Sequence, residues 1–130
     1  MKNTFWNLVL AASVVCLLAA CGASSSKVDT AKLQQAFQSA PAELKSEIDK
    51  AVAAIKAGNL AEAATPFKAA AKKGGLTQEQ KDAIVAVVTE IQMIASQDPQ
   101  KFPTEAYRSI SEVVPILEGQ TPVTGKPPGQ

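Results

Sequence analysis

Residues 77–97, TQEQKDAIVAVVTEIQMIASQ, decide the fold. Thr77 and Gln80 have the spacing of a capping box, in which the threonine hydroxyl accepts from the Gln80 backbone N–H and the glutamine side chain reaches back to the Thr77 N–H. Behind this start, Ile84, Val87, Val88, Ile91 and Ile94 recur at helical spacing, and Val85 and Met93 widen the stripe until it nearly encircles the helix. A helix apolar around so much of its circumference is expected at the centre of a bundle.

Shorter helical patterns flank this segment. Asp29 or Thr30 can cap a first short helix presenting Leu33 and Phe37. Pro41 suits the opening of a second, with Glu43 near its positive end and Leu44, Ile48, Val52 and Ile55 on one face. Gly58-Asn59 should stop it after about Ala57. A third helix is expected from Leu60 to Lys73, kinked at Pro66 because a helix-interior proline lacks the N–H the ladder needs. The other reading of that stretch makes Thr65 an N-cap and Pro66 the first helical residue. Lys72-Lys73 before Gly74-Gly75 marks its end. The last helix should run from Thr104 to about Glu118 on Tyr107, Ile110, Val113, Val114 and Leu117, with Pro115 bending its final turn. The tail from Gln120 has no apolar face and is expected to be disordered. The fold class is therefore all-α: a small bundle of four or five short antiparallel helices over residues 28–119, with residues 120–130 as a tail.

The N-terminal segment carries an address. Lys2 precedes an apolar run from Leu8 to Ala20, shorter than the roughly 20 residues a membrane span needs, and Gly22 and Ser24-Ser25-Ser26-Lys27 end it. The run closes on Leu18-Ala19-Ala20-Cys21. Large aliphatic, small, small, cysteine resembles the lipobox of bacterial lipoproteins. The resemblance implies a signal peptide over 1–20, lipidation of the Cys21 thiol, cleavage before it, and a flexible tether over 21–27. It also implies a membrane partner through that lipid. Gly22, rather than Asp, follows the cysteine, which resembles the pattern sorted to the outer membrane, facing the periplasm. Ordinary secretory cleavage after Gly22 and an uncleaved anchor are the other readings of the segment.

Composition narrows the chemistry. Of thirteen basic residues Lys2 falls in the signal, leaving twelve against twelve acidic ones, a balance that argues against nucleic acid as a partner. The chain has no histidine, and its only cysteines are Cys16 and Cys21. That removes the commonest general base, zinc ligands and thiol nucleophiles, so no metal, cofactor or catalytic residue is expected. Glu43 and Glu47 share a helical face but have Lys45 and Lys50 beside them, the pattern of a charged surface. Ser109 and Ser111 have no base near them in sequence, and no small-molecule substrate is indicated.

Ala51, Ala54, Gly58, Leu60, Ala63, Phe67 and Ala70 fall at the small and large positions of a tetratricopeptide repeat. The resemblance covers one hairpin: a repeat later, Gln92 and Gln97 stand where the turn glycine and packing alanine should recur, and Pro66 departs as well. Any tight alanine-rich hairpin would use such residues. The likeness implies a protein-binding groove. Ala51, Ala54, Ala63 and Ala70 would form its shallow floor, with Lys56, Lys68 and Lys72 along its edges as candidate partner-binding residues. The expected function is that of a non-enzymatic protein-binding or scaffold lipoprotein meeting an envelope protein. The alternative is a structural lipoprotein contacting peptidoglycan without a covalent bond, since Lys126 is followed by Pro127-Pro128-Gly129-Gln130 and is not a terminal attachment lysine.

Overall fold

The capping box forms as the sequence predicts. Gln80 N–H donates to Thr77 Oγ1 at 3.2 Å, and Thr77 N–H donates to Gln80 Oε1 at 3.0 Å. The computed structural model describes residues 28–100 and 102–120, so the expected signal peptide over 1–20, the expected tether over 21–27 with Cys21, and the tail from 121 lie outside the described residues, as does Lys101. Within them all regular structure is helical: α1 (Ala31–Ala36), α2 (Ala42–Lys56), a 3-10 turn (Leu60–Ala63), α3 (Ala64–Lys73), α4 (Gln78–Gln97), α5 (Thr104–Ser111) and α6 (Val113–Leu117). This is the small all-α bundle the periodicity predicts, its fifth rod divided in two.

Neighbouring helices run antiparallel. Lys73 at the end of α3 pairs with Glu43 at the start of α2 at 3.2 Å, as the antiparallel α2–α3 hairpin brings these ends together. Its turn is a Schellman motif: Gly58, at φ +82°, donates to Ile55 O and Asn59 donates to Ala54 O. Asp29 N–H reaches Glu90 Oε2 while Gln80 Nε2 reaches Ala36 O, so α1 lies antiparallel on α4. Thr30 occupies the N-cap position of α1 but its side chain makes no capping bond; Asp29 Oδ1 accepts the Ala31 N–H instead.

Two helices differ from expectation, and proline explains both. The 3-10 turn passes into α geometry at Ala64, so Pro66 is the third residue of α3, where an α-helix has no intrahelical partner for the missing N–H. Thr65 is helical and caps nothing. At the C-terminus Pro115 acts earlier than the final turn. It ends α5 four residues upstream at Ser111, whose carbonyl its ring would strike, and again becomes the third residue of a new helix, α6. Gly119, at φ +75°, donates to Ile116 O and Gln120 to Pro115 O, so Gln120, assigned by sequence to the tail, completes a second Schellman cap.

One core joins the elements. Leu33, Phe37, Ile48, Ala51, Phe67, Ala70, Ile84, Val88, Ile91, Ile110 and Val113 are among its most enclosed members. The centre is not α4 alone: α4 packs on α1, α5 and α6, α3 packs on α2, α5 and α6, and the α5–α6 pair lies against both. Nor does the apolar stripe encircle α4, since Ile94 is half-buried and Met93 is 55% exposed.

Val88 is fully enclosed, and an unpaired charge there costs several kcal/mol against a total stability of about 5–15 kcal/mol. Val88→Asp should abolish the cooperative thermal transition followed by circular dichroism; a near-native melting curve would refute this. Gln80→Glu keeps an acceptor for the Thr77 N–H but cannot donate to Ala36 O. A loss of about 1–3 kcal/mol is expected in denaturant titration, reduced by the helix dipole's preference for the new charge.

Candidate functional site

The three lysines that the hairpin likeness singles out do not edge one groove. Lys56 is the last residue of α2, beside the Gly58 turn, and Lys72 lies near the end of α3, at the opposite end of the antiparallel hairpin. Both are exposed. Lys68 instead faces α5, donating to Ser109 Oγ at 2.8 Å and to Glu112 Oε2 at 3.3 Å with its side chain 23% exposed. The expected groove floor is closed as well: Ala51, Ala63 and Ala70 are fully buried and Ala54 half-buried. Small residues here let helices touch, and the space they save is taken by the partner helix.

Lys68, Ser109 and Glu112 form a polar cluster between α3 and the α5–α6 break. Sequence spacing could not find it, because 41 residues separate Lys68 from Ser109. A lysine next to a serine hydroxyl invites comparison with a nucleophile and its base. The ammonium, however, donates to both oxygens and is held by the carboxylate, so it has no lone pair aimed at the hydroxyl. The arrangement ties α3 to the α5–α6 break. Glu43 and Glu47, the carboxylates sharing a face of α2, pair with Lys73 and Lys50 respectively. Ser111 donates to Tyr107 O and accepts from Gln92 Nε2, joining α5 to α4. Among the described residues no cluster of three metal-ligating side chains occurs.

An open cleft of ≈ 620 Å³ runs between α1 and α4, a surface sequence reasoning missed. It is lined by Lys32, Gln35 and Ala36 from α1 and by Glu79, Asp82, Ala83 and Ala86 from α4. Its floor carries small side chains, Ala36, Ala83 and Ala86, while Leu33 of α1 and Ile84 of α4 are fully buried in the core. The one signal for it in the sequence is the recurrence of Ala83 and Ala86 beside the α4 stripe. Cys21 lies outside the described residues, and among them no helix is long and apolar enough to cross a membrane.

Set against known protein families, curated proteins and solved structures, the chain matches none. Its function has to be argued from its own residues.

Lys68→Glu would place a second carboxylate beside Glu112 and strip Ser109 of its donor. A loss of about 1 kcal/mol for this partly exposed tie lowers the melting temperature by about 4–8 °C in a domain of this size. Lys56→Glu and Lys72→Glu should leave it within a degree or two. Equal melting temperatures for all three variants would show that Lys68 ties nothing.

Proposed function

We propose that this chain is a lipid-anchored module of the bacterial cell envelope, held to a membrane through Cys21 and acting by binding or scaffolding another envelope protein, without catalysis. The observation that carries the reading is Leu18-Ala19-Ala20-Cys21 at the end of an apolar run too short to span a bilayer. The two or three chains a bacterial lipoprotein bears would make release slow, since each buried CH₂ contributes about 0.8 kcal/mol. The Gly22 that follows Cys21 favours the outer membrane, on its periplasmic side.

The binding half of the proposal is supported by the absence of histidine from the chain, by carboxylates paired with lysines, and by the concave surface between α1 and α4. The likeness of the α2–α3 hairpin to a tetratricopeptide unit supports the same class. With its small positions buried, any partner would meet the outer surface and not an inner groove.

Mass spectrometry of the N-terminal peptide of the matured protein should find Cys21 carrying a diacylglyceryl group. Cys21→Ser should leave the chain uncleaved or soluble, and an unmodified Cys21 would defeat the anchor. Incubation with purified peptidoglycan separates binding from a murein role: the protein should stay in the supernatant, and sedimentation with the sacculi would favour the structural alternative.

A further inference from the structure

Met93 and Tyr107 are the exposed large apolar side chains among the described residues, at 55% and 43%, and both lie at one end of the bundle. Met93 is in the last two turns of α4, and Tyr107 is in the first turn of the antiparallel α5, one turn before Ser111, whose Oγ meets Gln92. The chain reaches the described fold at this same end, because Asp29 N–H donates to Glu90 Oε2 at 3.0 Å and Glu90 is one helical turn before Met93.

The outward stripe of α4 around Met93 is uncharged: Ala86, Thr89, Met93 and Ser96 are all exposed. Its hydroxyls are spent on their own helix. Thr89 Oγ1 donates to Val85 O and Ser96 Oγ to Gln92 O, each at 2.8 Å, so the stripe can leave water without stranding a donor. Tyr107 adds an aromatic ring with a polar tip, the side-chain type that settles at the boundary between headgroups and acyl chains.

We infer that this end of the bundle rests on the lipid surface, with Met93 and Tyr107 entering the headgroup boundary of an uncharged, zwitterionic bilayer. The inference builds on the lipid-anchor reading. Val28, where the described residues begin, stands seven residues beyond Cys21, so a lipid on Cys21 would keep Val28 within about 25 Å of the membrane. The end that carries the tether is thus the end brought to the surface, and it is also the end with exposed apolar side chains. The uncharged character of the lipid follows from the charges carried by the segments that meet at this end: among the described residues Asp29, Glu90, Asp98 and Glu105 stand against Arg108, with no basic excess to draw anionic headgroups.

The test uses the full chain matured in a bacterial membrane and reconstituted into phosphatidylcholine vesicles. With Cys21 lipidated and Cys16 removed, Met93→Cys and Gln78→Cys each supply a single thiol for a fluorophore, about 22 Å apart along α4. Lipids bearing a quencher at the top of the acyl chain should quench the label at position 93 about threefold more than that at 78, given shallow insertion of ~5–10 Å. Melting curves matching the unsubstituted protein show that both variants fold. Equal quenching on protein whose Cys21 is shown to be lipidated overturns this inference alone, and an unmodified Cys21 overturns it together with the anchor. Shielding of position 93 from aqueous iodide without lipid quenching would place a second copy of the chain there and also overturn it.

Discussion

Helix boundaries in this protein depend on where a proline can stand. The ring has no N–H to give and collides with the carbonyl four residues back, so it is tolerated at a helix start and costs about 3 kcal/mol in an interior. Four helices obey that constraint: Pro41 and Pro103 sit at the N-caps of α2 and α5, and Pro66 and Pro115 are the third residues of α3 and α6. The 3-10 turn before α3 and the break between α5 and α6 are what the backbone does to keep those positions. Among the described α-helices only α1 and α4 have no proline at the N-cap or in the first turn, and α4 has its capping box instead.

Short helices cut this way present little side chain each, and beyond Cys21 the chain has no cysteine to staple them. Alanine lets them share one core. Ala51, Ala63, Ala64 and Ala70 are fully enclosed where α2, the 3-10 turn and α3 meet, and the close approach brings Phe67 to 0% exposure. Polar ties then fix the orientations that close packing of small residues leaves loose. Gln80 caps α4 and binds the last carbonyl of α1, while Lys68 binds Ser109 and Glu112 across the α5–α6 break. In each case a buried or half-buried donor is satisfied by a group from another helix, so the tie sets geometry as well as adding stability.

The same arrangement leaves the molecule two unlike ends. Gly74 and Gly75, the α4 capping box and the end of α1 lie at one. At the other are the start of α1, the exposed Met93 and Tyr107, and the uncharged stripe leading to them. Under the proposed reading, a lipid on Cys21 would bring the second end to the membrane and leave the first end and the sides for a partner. Under the proposed reading, the α1–α4 cleft, opening beside Glu79 and Asp82, would therefore point away from the bilayer.

Much of the fold was legible because its causes are local. The capping box at Thr77 and Gln80, the Gly58-Asn59 stop and the α4 stripe depend on neighbours within a turn or two, and each formed where its residues stand. The likeness of Leu18-Ala19-Ala20-Cys21 to a lipobox is likewise a contiguous pattern, and the proposed address rests on it. What escaped the sequence involved residues far apart in it. Which face of α4 stays open at Met93, the shared centre of the bundle, and Lys68 meeting Ser109 all depend on how helices dock. Proline lies between the two cases: its presence is local, but whether it bends, breaks or merely starts a helix is decided by what the rest of the core requires on either side. The sequence alone therefore determined that the chain is helical and where most helices begin and end. Only the tertiary structure decided which alanines are packing and which line an open cleft, because burial is a property of the neighbour that arrives and not of the residue that receives it.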